Sequence, residues 1–453
     1  MQNNWPNPAI FAWLRQILSD RYGHDFYIKP VDTRFVSMVL PNSAATILLT
    51  VDPVAFNRVD SDLPFSSWDA VAEGWISVLG KLLPAPGAEV LPVPLIEQTE
   101  MGYCIHYDVL GLTYWMLSRL EEINPKNLDE YARFPASCSH AFKYGYLEYP
   151  VVDAWLHVLG QVIQRVWPTL EFKQHQFSMV VSHDVDAPSR YGFRTVKGIV
   201  RAMAGDLLKR QDLKSAVLGP WIHLNSKERL HPADPANSFN WIMDVSERRG
   251  LVSAFYFICG RTNPDYDSDY EPEHPTIRDL MQRIHARGHE IGLHPSYGTY
   301  RAPEILIAEA ERLRHVCQQI GITLSIFGGR MHYLRWEHPI TMRGLTLAGM
   351  AYDNTLTYAN HAGFRCGTCF EYPAFDPLEG KQLSLRIRPL VAMETTIMAS
   401  QHMGLGTGKS ALDKFCELKH TCKLLGGCFT LLWHNTQFDS KEKRELYQAV
   451  LDC

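Results

Sequence analysis

The sequence lacks any long uninterrupted apolar run. No segment reaches the roughly 20 apolar residues that a membrane-spanning helix needs, so we expect no membrane span. The opening stretch, MQNNWPNPAIFAWLRQILSD, also lacks the basic start, apolar run and small-residue cleavage site of a secretory signal. These two absences predict a cytoplasmic protein.

A strong charge of one sign is missing as well. The chain has 453 residues and a formal net charge of -5, which gives no general attraction to nucleic acid or to anionic lipid. There is no repeat of fixed period and no low-complexity tract. A hydrophobic content of 46% and a charged content of 21% are typical of a globular protein. The length predicts two or three domains. The net charge predicts no nucleic-acid partner.

The ten cysteines show no framework of paired spacings, which predicts reduced thiols. The stretch CGTC, Cys366 to Cys369, has the spacing of half a zinc or redox site, but Cys416 and Cys422 are too far apart to complete it. The stretch GLGTGKS resembles a phosphate-binding loop, but the first glycine of that motif would fall at Met403. We interpret these stretches as buried thiols and a loop.

Two regions differ in their patterns. Residues 1–172 contain strand-like runs at Ser37 to Leu40 and Ala45 to Val51, followed by helical periodicity at Asp108 to Ile123 and Val151 to Trp167. This region predicts a smaller α/β domain.

Residues 173–453 alternate helix patterns with strand patterns such as Thr323 to Gly329, which predicts a mainly parallel sheet, either open or closed into a barrel. The longest polar loop, residues 261–275, follows a predicted strand, and we expect it to border a substrate cleft. In barrels of this kind the catalytic groups lie at the carboxyl ends of strands. The strand VVSHDVD ends on two carboxylates, each of which must be paired or desolvated. The polar residues at predicted strand ends are His183, Asp184, Asp186, His294, Arg330, His332 and His434.

Aspartate and histidine are ligands of zinc, and a catalytic zinc keeps one position open for water. A second carboxylate nearby can take a proton from that water, and a protonated histidine can give one to a leaving amine. These residues therefore predict amide hydrolysis.

The order of the motifs resembles the polysaccharide deacetylase family, also called the NodB homology domain or carbohydrate esterase family 4. The resemblance covers residues 177–437 and rests on SHDVD, GHEIGLHPSY, GGRMHYLRW and LLWHN, which begin at Ser182, Gly288, Gly328 and Leu431. It implies a distorted (β/α) barrel, preceded here by the smaller α/β domain. It also implies the removal of N-acetyl groups from amino sugars.

The resemblance also implies a role for each site residue. Asp184 would be the general base, oriented by Arg330, and His434 the general acid. Asp186 and His294 would bind a divalent metal, which we expect to be zinc. The plain alternatives are that the aspartates cap the following loop and that the histidines only pack or stack.

The sequence departs from the family at one ligand. The family has a second ligand histidine four residues after the first, and here that position is Gly298. We expect His332 to replace it, with His183 and Tyr297 as weaker alternatives. The departure keeps open two other functions, a metal-independent hydrolase of another small amide and an inactive glycan-binding module.

The N-terminal region resembles the leading domain of a deacetylase subgroup found with bacterial surface-polysaccharide genes. The stretches GLTYWMLSRLEEI and YLEYPVVDAW carry this resemblance, and the same subgroup also has HYLRW, YDNTLTYAN and GFRCGTC, which begin at His332, Tyr352 and Gly363. The resemblance implies a glycan context. Because no secretory signal is visible, we expect an amino sugar that is nucleotide-linked, lipid-linked or part of an oligosaccharide, and not an exported polymer. Asp353 and Glu394 lie near further strand ends, and we interpret both as structural.

Overall fold

The computed structural model describes residues 4–210 and 212–453. The N-terminal part, up to residue 172, is built on seven strands and five helices. They are α1 (Pro8–Tyr22), β1 (Tyr27–Pro30), β2 (Phe35–Val39), β3 (Thr46–Thr50), α2 (Pro53–Phe56), β4 (Phe65–Asp69), β5 (Leu82–Pro86), β6 (Ile96–Thr99), β7 (Gly102–Ile105), α3 (Val109–Leu117), α4 (His140–Lys143) and α5 (Val151–Val166).

Five of these strands form a mixed sheet in the order β1-β2-β3-β7-β6, and β4 and β5 form a separate pair. Side chains alternate along β2 and β3, so that Val36, Met38, Ile47 and Leu49 are buried. Helices α3 and α5 pack against β3 on this sheet. The predicted strands and the helix predicted from Val151 are therefore confirmed, whereas the helix predicted from Asp108 to Ile123 ends at Leu117, because Arg119 adopts a left-handed φ of 52°.

Within its described residues, the C-terminal part contains nine strands and nine α-helices. They are β8 (Ser178–Val185), α6 (Val196–Gly205), α7 (Leu213–Leu224), α8 (Phe239–Glu247), β9 (Ser253–Phe257), α9 (Pro275–Ala286), β10 (Glu290–Leu293), α10 (Pro303–Gln319), β11 (Gly328–Gly329), α11 (Ile340–Leu347), β12 (Tyr352–Asp353), β13 (Tyr372–Asp376), β14 (Lys381–Ile387), β15 (Ala392–Met393), α12 (Glu394–Met398), α13 (Lys409–Leu425), β16 (Cys428–Leu432) and α14 (Lys441–Asp452).

The nine strands form one sheet in the order β13-β14-β12-β11-β10-β9-β8-β16-β15. All neighbours in this row are parallel except β13 and β14. The expectation of a mainly parallel α/β sheet is confirmed. Its hydrogen-bonded order ends at β13 and β15, and closure into a barrel stays a prediction.

The two parts share one continuous hydrophobic core. The indole of Trp13 donates to Pro373 O at 2.8 Å, and the hydroxyl of Tyr372 donates to Leu117 O at 3.0 Å. Because the two parts pack against each other through this core, the division into two domains at residue 172 stays a prediction.

The expectation of reduced thiols throughout is wrong for one pair. Cys416 in α13 forms a disulfide with Cys453, which follows α14. The two residues are 37 positions apart, and the packing of α13 on α14 brings their Cα atoms to 5.9 Å. Cys366 and Cys369 are buried free thiols, as predicted.

No helix among the described residues is long and apolar enough to cross a bilayer. The stretch GLGTGKS forms a loop up to Gly408, and Lys409 then begins α13, as the loop interpretation predicts.

Candidate active site

Strand β8 directs its alternate residues to opposite sides of the sheet. Asp184 points to the same side as Ser182, whereas His183 points away and donates from Nδ1 to Trp433 O at 2.6 Å. Burial lowers the pKa of His183 to about 3. His183 is therefore a neutral structural residue and does not face the candidate site.

Asp184 is held by a buried arginine. Arg330 Nη1 donates to Asp184 Oδ1 at 2.6 Å, and its Nη2 donates to Ser182 Oγ at 2.6 Å and to Asn354 Oδ1. Asp184 and Arg330 are 2% and 0% exposed, so each neutralises the charge of the other, which would be costly to bury alone. The other carboxylate oxygen, Oδ2, lies 3.6 Å from Nε2 of His294.

Asp186, His294 and His332 form a cluster whose possible ligand atoms all lie within 4.8 Å of one another. Asp186 Oδ1 is 3.3 Å from His294 Nε2 and 3.7 Å from His332 Nε2. This oxygen is buried, and within the described part of the chain it has no hydrogen-bond partner. A buried oxygen without a partner, facing two imidazole nitrogens, fits a divalent cation.

The second nitrogen of each histidine is already occupied. His294 Nδ1 donates to Arg330 O at 2.5 Å, and His332 Nδ1 donates to Asp267 Oδ1 at 3.0 Å. Both Nε2 atoms are therefore oriented toward Asp186. Burial opposes charge on Asp267, but hydrogen bonds from His332 and from backbone amides lower its pKa.

Gly298 occupies the position where the family has its second ligand histidine. Its amide donates to Thr262 Oγ1 at 2.6 Å, and a Cβ added here would lie 3.0 Å from Thr262 Cβ. The ring of Tyr297 packs against Tyr266 and Arg335, away from the cluster. Of the three expected substitutes, only His332 lies with Asp186 and His294.

His434 lies on the other side of the two aspartates. Its Nε2 is 3.9 Å from Asp184 Oδ2 and 3.8 Å from Asp186 Oδ2, and its Nδ1 donates to Glu394 Oε1 at 2.6 Å. Burial opposes the charged imidazolium, but Glu394 and the two aspartates outweigh it and raise the pKa of His434 to about 10. His434 is therefore protonated at neutral pH, as a general acid must be.

Comparison with known proteins gives a family for one segment only. Residues 42–168 match DUF7033, a family of unknown function. No curated protein matches the chain.

Three solved structures resemble parts of the fold at low identity. A "putative polysaccharide deacetylase from Mycobacterium smegmatis" shares 13% identity at a TM-score of 0.39, over 62% of this chain and 84% of that one. Puue allantoinase shares 12% at 0.36, over 72% and 90%. A "probable Polysaccharide deacetylase from Pseudomonas aeruginosa PAO1" shares 13% at 0.34, over 72% and 91%.

A cleft of about 780 Å³ opens above the cluster. Part of its wall is the loop of residues 261–275, which contains Asp267 and Tyr266 and which the sequence predicts to border a cleft. The rings of Tyr131 and Tyr266 lie 5.1 and 5.2 Å from that of Tyr333, and all three line the cleft. Tyr131 comes from the N-terminal part, so both parts of the chain form this cleft.

Two carboxylates of the site have roles that the sequence does not reveal. Glu394 was expected to be structural, yet it binds His434, and Asp267 was expected only within a cleft-bordering loop, yet it binds His332. The only signal for either is its place beside a strand end or in a long polar loop.

Proposed function

We propose that this protein is a metal-dependent hydrolase that removes an N-acetyl group from an amino sugar. The observation that carries the proposal is the different environment of two neighbouring carboxylates. Asp184 is bound to Arg330, while Asp186 faces His294 and His332 with a buried oxygen that lacks a hydrogen bond in the described chain. One aspartate is thus arranged as a base and the other as a ligand.

The residues that would hold the metal are Asp186, His294 and His332. One carboxylate and two imidazoles are a donor set typical of catalytic zinc, which leaves a position open. When bound, zinc would supply Lewis acidity that polarises the amide carbonyl and makes water a stronger acid.

The other side chains handle the protons. Asp184 Oδ2 accepts a proton from the water that adds to the amide carbon, while Arg330 fixes the carboxylate through Oδ1. His434 Nε2 donates a proton to the amide nitrogen as the carbon–nitrogen bond breaks, and Glu394 holds the ring through Nδ1. The products are acetate and the free amine of the sugar.

The proposed substrate is an amino sugar of surface-glycan biosynthesis, nucleotide-linked, lipid-linked or part of an oligosaccharide. Support comes from the cleft, where Tyr131, Tyr266 and Tyr333 present flat aromatic surfaces close to His332. Aromatic faces of this kind pack against the apolar side of a ring while their hydroxyls remain available for hydrogen bonds.

The test is acetate release from a panel of acetamido sugars, measured together with the metal content of the purified protein. We expect about one zinc per chain, acetate release that is lost after chelation, and recovery when zinc is returned. Activity that survives exhaustive chelation would instead indicate a metal-independent amidohydrolase. Sugar binding without any acetate release would indicate a binding module.

Asp184→Asn separates the base from the metal ligands. Because the amide cannot accept the water proton, we expect acetate release to fall by roughly 10²- to 10⁴-fold. The metal content should stay at the wild-type level, since Asp184 is not among the proposed ligands. Asp413→Asn, at an exposed position in α13, is the matched control, and full turnover by Asp184→Asn would refute the assignment.

A further inference from the structure

Helices α6 and α7 form a hairpin beside the active-site cleft, here called the α6–α7 hairpin and defined as residues 195–210 and 212–225. Its inner side packs on a small core of its own, made by Tyr191, Ile199, Ala202 and Ile222. This core is separate from the main one. The inner side of the hairpin is therefore buried in this small core, and its outer side is not needed for that packing.

The outer side of the hairpin is also apolar. On α7 the exposed apolar residues follow one another at intervals of four, four and three, which places them on a single helical stripe. Further large apolar residues are exposed on α6 and in the segment after it. The exposed large apolar residues are Val196, Val200, Leu207, Leu208, Leu213, Val217, Trp221 and Leu224, with exposed fractions from 46% to 81%.

A helix that is apolar on both sides is normally covered on both sides. Within the described chain nothing covers the outer side of α7, where Val217 and Trp221 are 68% and 59% exposed. A stripe of exposed apolar side chains along one helix marks a docking site.

The charges on the hairpin identify the partner. Lys197, Arg201 and Lys214 are exposed. The carboxylates of the hairpin are used locally, because Asp206 is buried against Arg190 and Asp212 caps α7 by accepting from the amide of Ser215. The hairpin surface is thus basic although the whole chain carries a net charge of -5.

The hairpin is also part of the cleft wall. Arg201 in α6, and Arg194 just before it, line the same cleft as Asp184 and His434. A surface that holds the hairpin would therefore lie next to the cleft.

We propose that the α6–α7 hairpin docks on the surface of an anionic lipid bilayer. Its apolar residues enter the interface between headgroups and acyl chains, and its lysines and arginines face the lipid phosphates. The helices have 10 and 12 residues, too few to cross a bilayer, so the hairpin lies in the plane of the surface. Docking also specifies the substrate as a lipid-linked amino sugar, and this assignment rests on the proposed function.

The test is co-sedimentation of the full chain with vesicles of equal parts phosphatidylglycerol and phosphatidylcholine, compared with pure phosphatidylcholine. We expect binding to the anionic vesicles that weakens at high salt. Val217→Gln with Trp221→Gln should lower the affinity at least tenfold, and Lys197→Gln with Lys214→Gln should lower it on anionic vesicles only. The control is Val54→Gln with Val90→Gln, two apolar positions in the N-terminal part that are each 83% exposed, and this variant should bind as the wild type does.

The proposal is overturned if the wild type does not bind anionic vesicles, or if Val217→Gln with Trp221→Gln binds equally well. A second result would also overturn it: size-exclusion chromatography shows a dimer for the wild type and a monomer for the double variant, and neither protein binds vesicles. The partner of the hairpin would then be a second copy of this chain. Asp184→Asn should bind vesicles normally. Failure of docking and failure of the proposed hydrolysis are thus observed in separate measurements.

Discussion

His332 is the residue on which the proposed metal site depends, because Gly298 supplies no ligand. In His332→Ala the cluster keeps only Asp186 and His294, and Asp267 loses the imidazole it binds. Loss of even an outer partner of a ligand costs roughly 10- to 100-fold in metal affinity, so we expect at least that loss here. Competition with a coloured zinc chelator measures it.

Tyr297→Phe is the control for His332→Ala, since the Tyr297 ring packs away from the cluster. Zinc affinity should be unchanged in that variant. Equal zinc affinity in His332→Ala and the wild type would remove His332 from the ligand set.

In the proposed mechanism Glu394 is a positioning residue that acts through His434. In Glu394→Gln the ring loses the carboxylate that orients it and favours its charged form, so proton transfer to the leaving amine slows. We expect kcat to fall by roughly 10²-fold with little change in KM, and Glu394→Asp to recover part of the loss. A purely structural role would instead lower thermal stability and leave kcat of the folded protein unchanged.

The site residues that the sequence predicts follow from one rule, that catalytic groups lie at the carboxyl ends of parallel strands. It places Asp184, Asp186 and His294 together because parallel strands bring their carboxyl ends to one edge. It does not predict the partners of the histidines, since Glu394 is 40 positions from His434 and Asp267 is 65 positions from His332. Such pairs depend on loop paths that local patterns do not encode.

Among the elements, β11 shows why strand lengths are hard to predict. The sequence predicts a strand from Thr323 to Gly329, but only Gly328 and Gly329 pair with their neighbours. A Cβ at Gly329 would lie 1.9 Å from Leu293 O, so glycine permits a close approach of the two backbones. The chain then leaves the sheet at Arg330, which carries its guanidinium to Asp184.

The segment of residues 129–133 from the N-terminal part supports the loop that carries His332. Arg133 Nη1 donates to Tyr333 O at 3.0 Å, and Arg335 Nε donates to Tyr131 O at 2.9 Å. Tyr333 has φ of 59°, a left-handed conformation that a non-glycine residue holds only when its surroundings enforce it. The N-terminal part thus stabilises the backbone next to a proposed metal ligand.

Arg133→Ala tests this support. With the hydrogen bond to Tyr333 O lost, the loop is less constrained, and we expect roughly tenfold weaker zinc binding without loss of the fold. Zinc competition and circular dichroism measure the two effects. Arg34→Ala, an exposed arginine of the N-terminal part, is the control, and wild-type zinc affinity in Arg133→Ala would contradict the role.

At the scale of the whole molecule, a buried ion network joins the two parts of the chain. Glu122 accepts from Arg119 of the N-terminal part and from Arg365 of the C-terminal part, at distances of 2.6 to 2.9 Å. All three side chains are 2% exposed. The sequence predicts each part separately, but charged residues so far apart give no sign that they meet in the interior.

This network predicts sensitivity to acid. Burial opposes the charge of Glu122, but Arg365 and Arg119 outweigh it and lower its pKa from 4.5 to about 2. Because the folded pKa is below the unfolded one, the stabilisation is complete above pH 4.5 and is lost as the pH falls toward 2. Its size is on the order of 3 kcal/mol.

Glu122→Gln removes this titration and leaves the buried guanidinium of Arg365 without its carboxylate, while Arg119 keeps its ion pair with Glu121. We expect the variant to lose roughly 3–5 kcal/mol at pH 7, where the wild-type pair is intact. From pH 4.5 to 3 its stability should fall less steeply than that of the wild type, because it lacks the carboxylate that the wild type must protonate. Urea unfolding at several pH values measures both effects, with the exposed Glu445→Gln as the control. If Glu122→Gln unfolds at the same urea concentration as the wild type at pH 7, the network does not hold the two parts together.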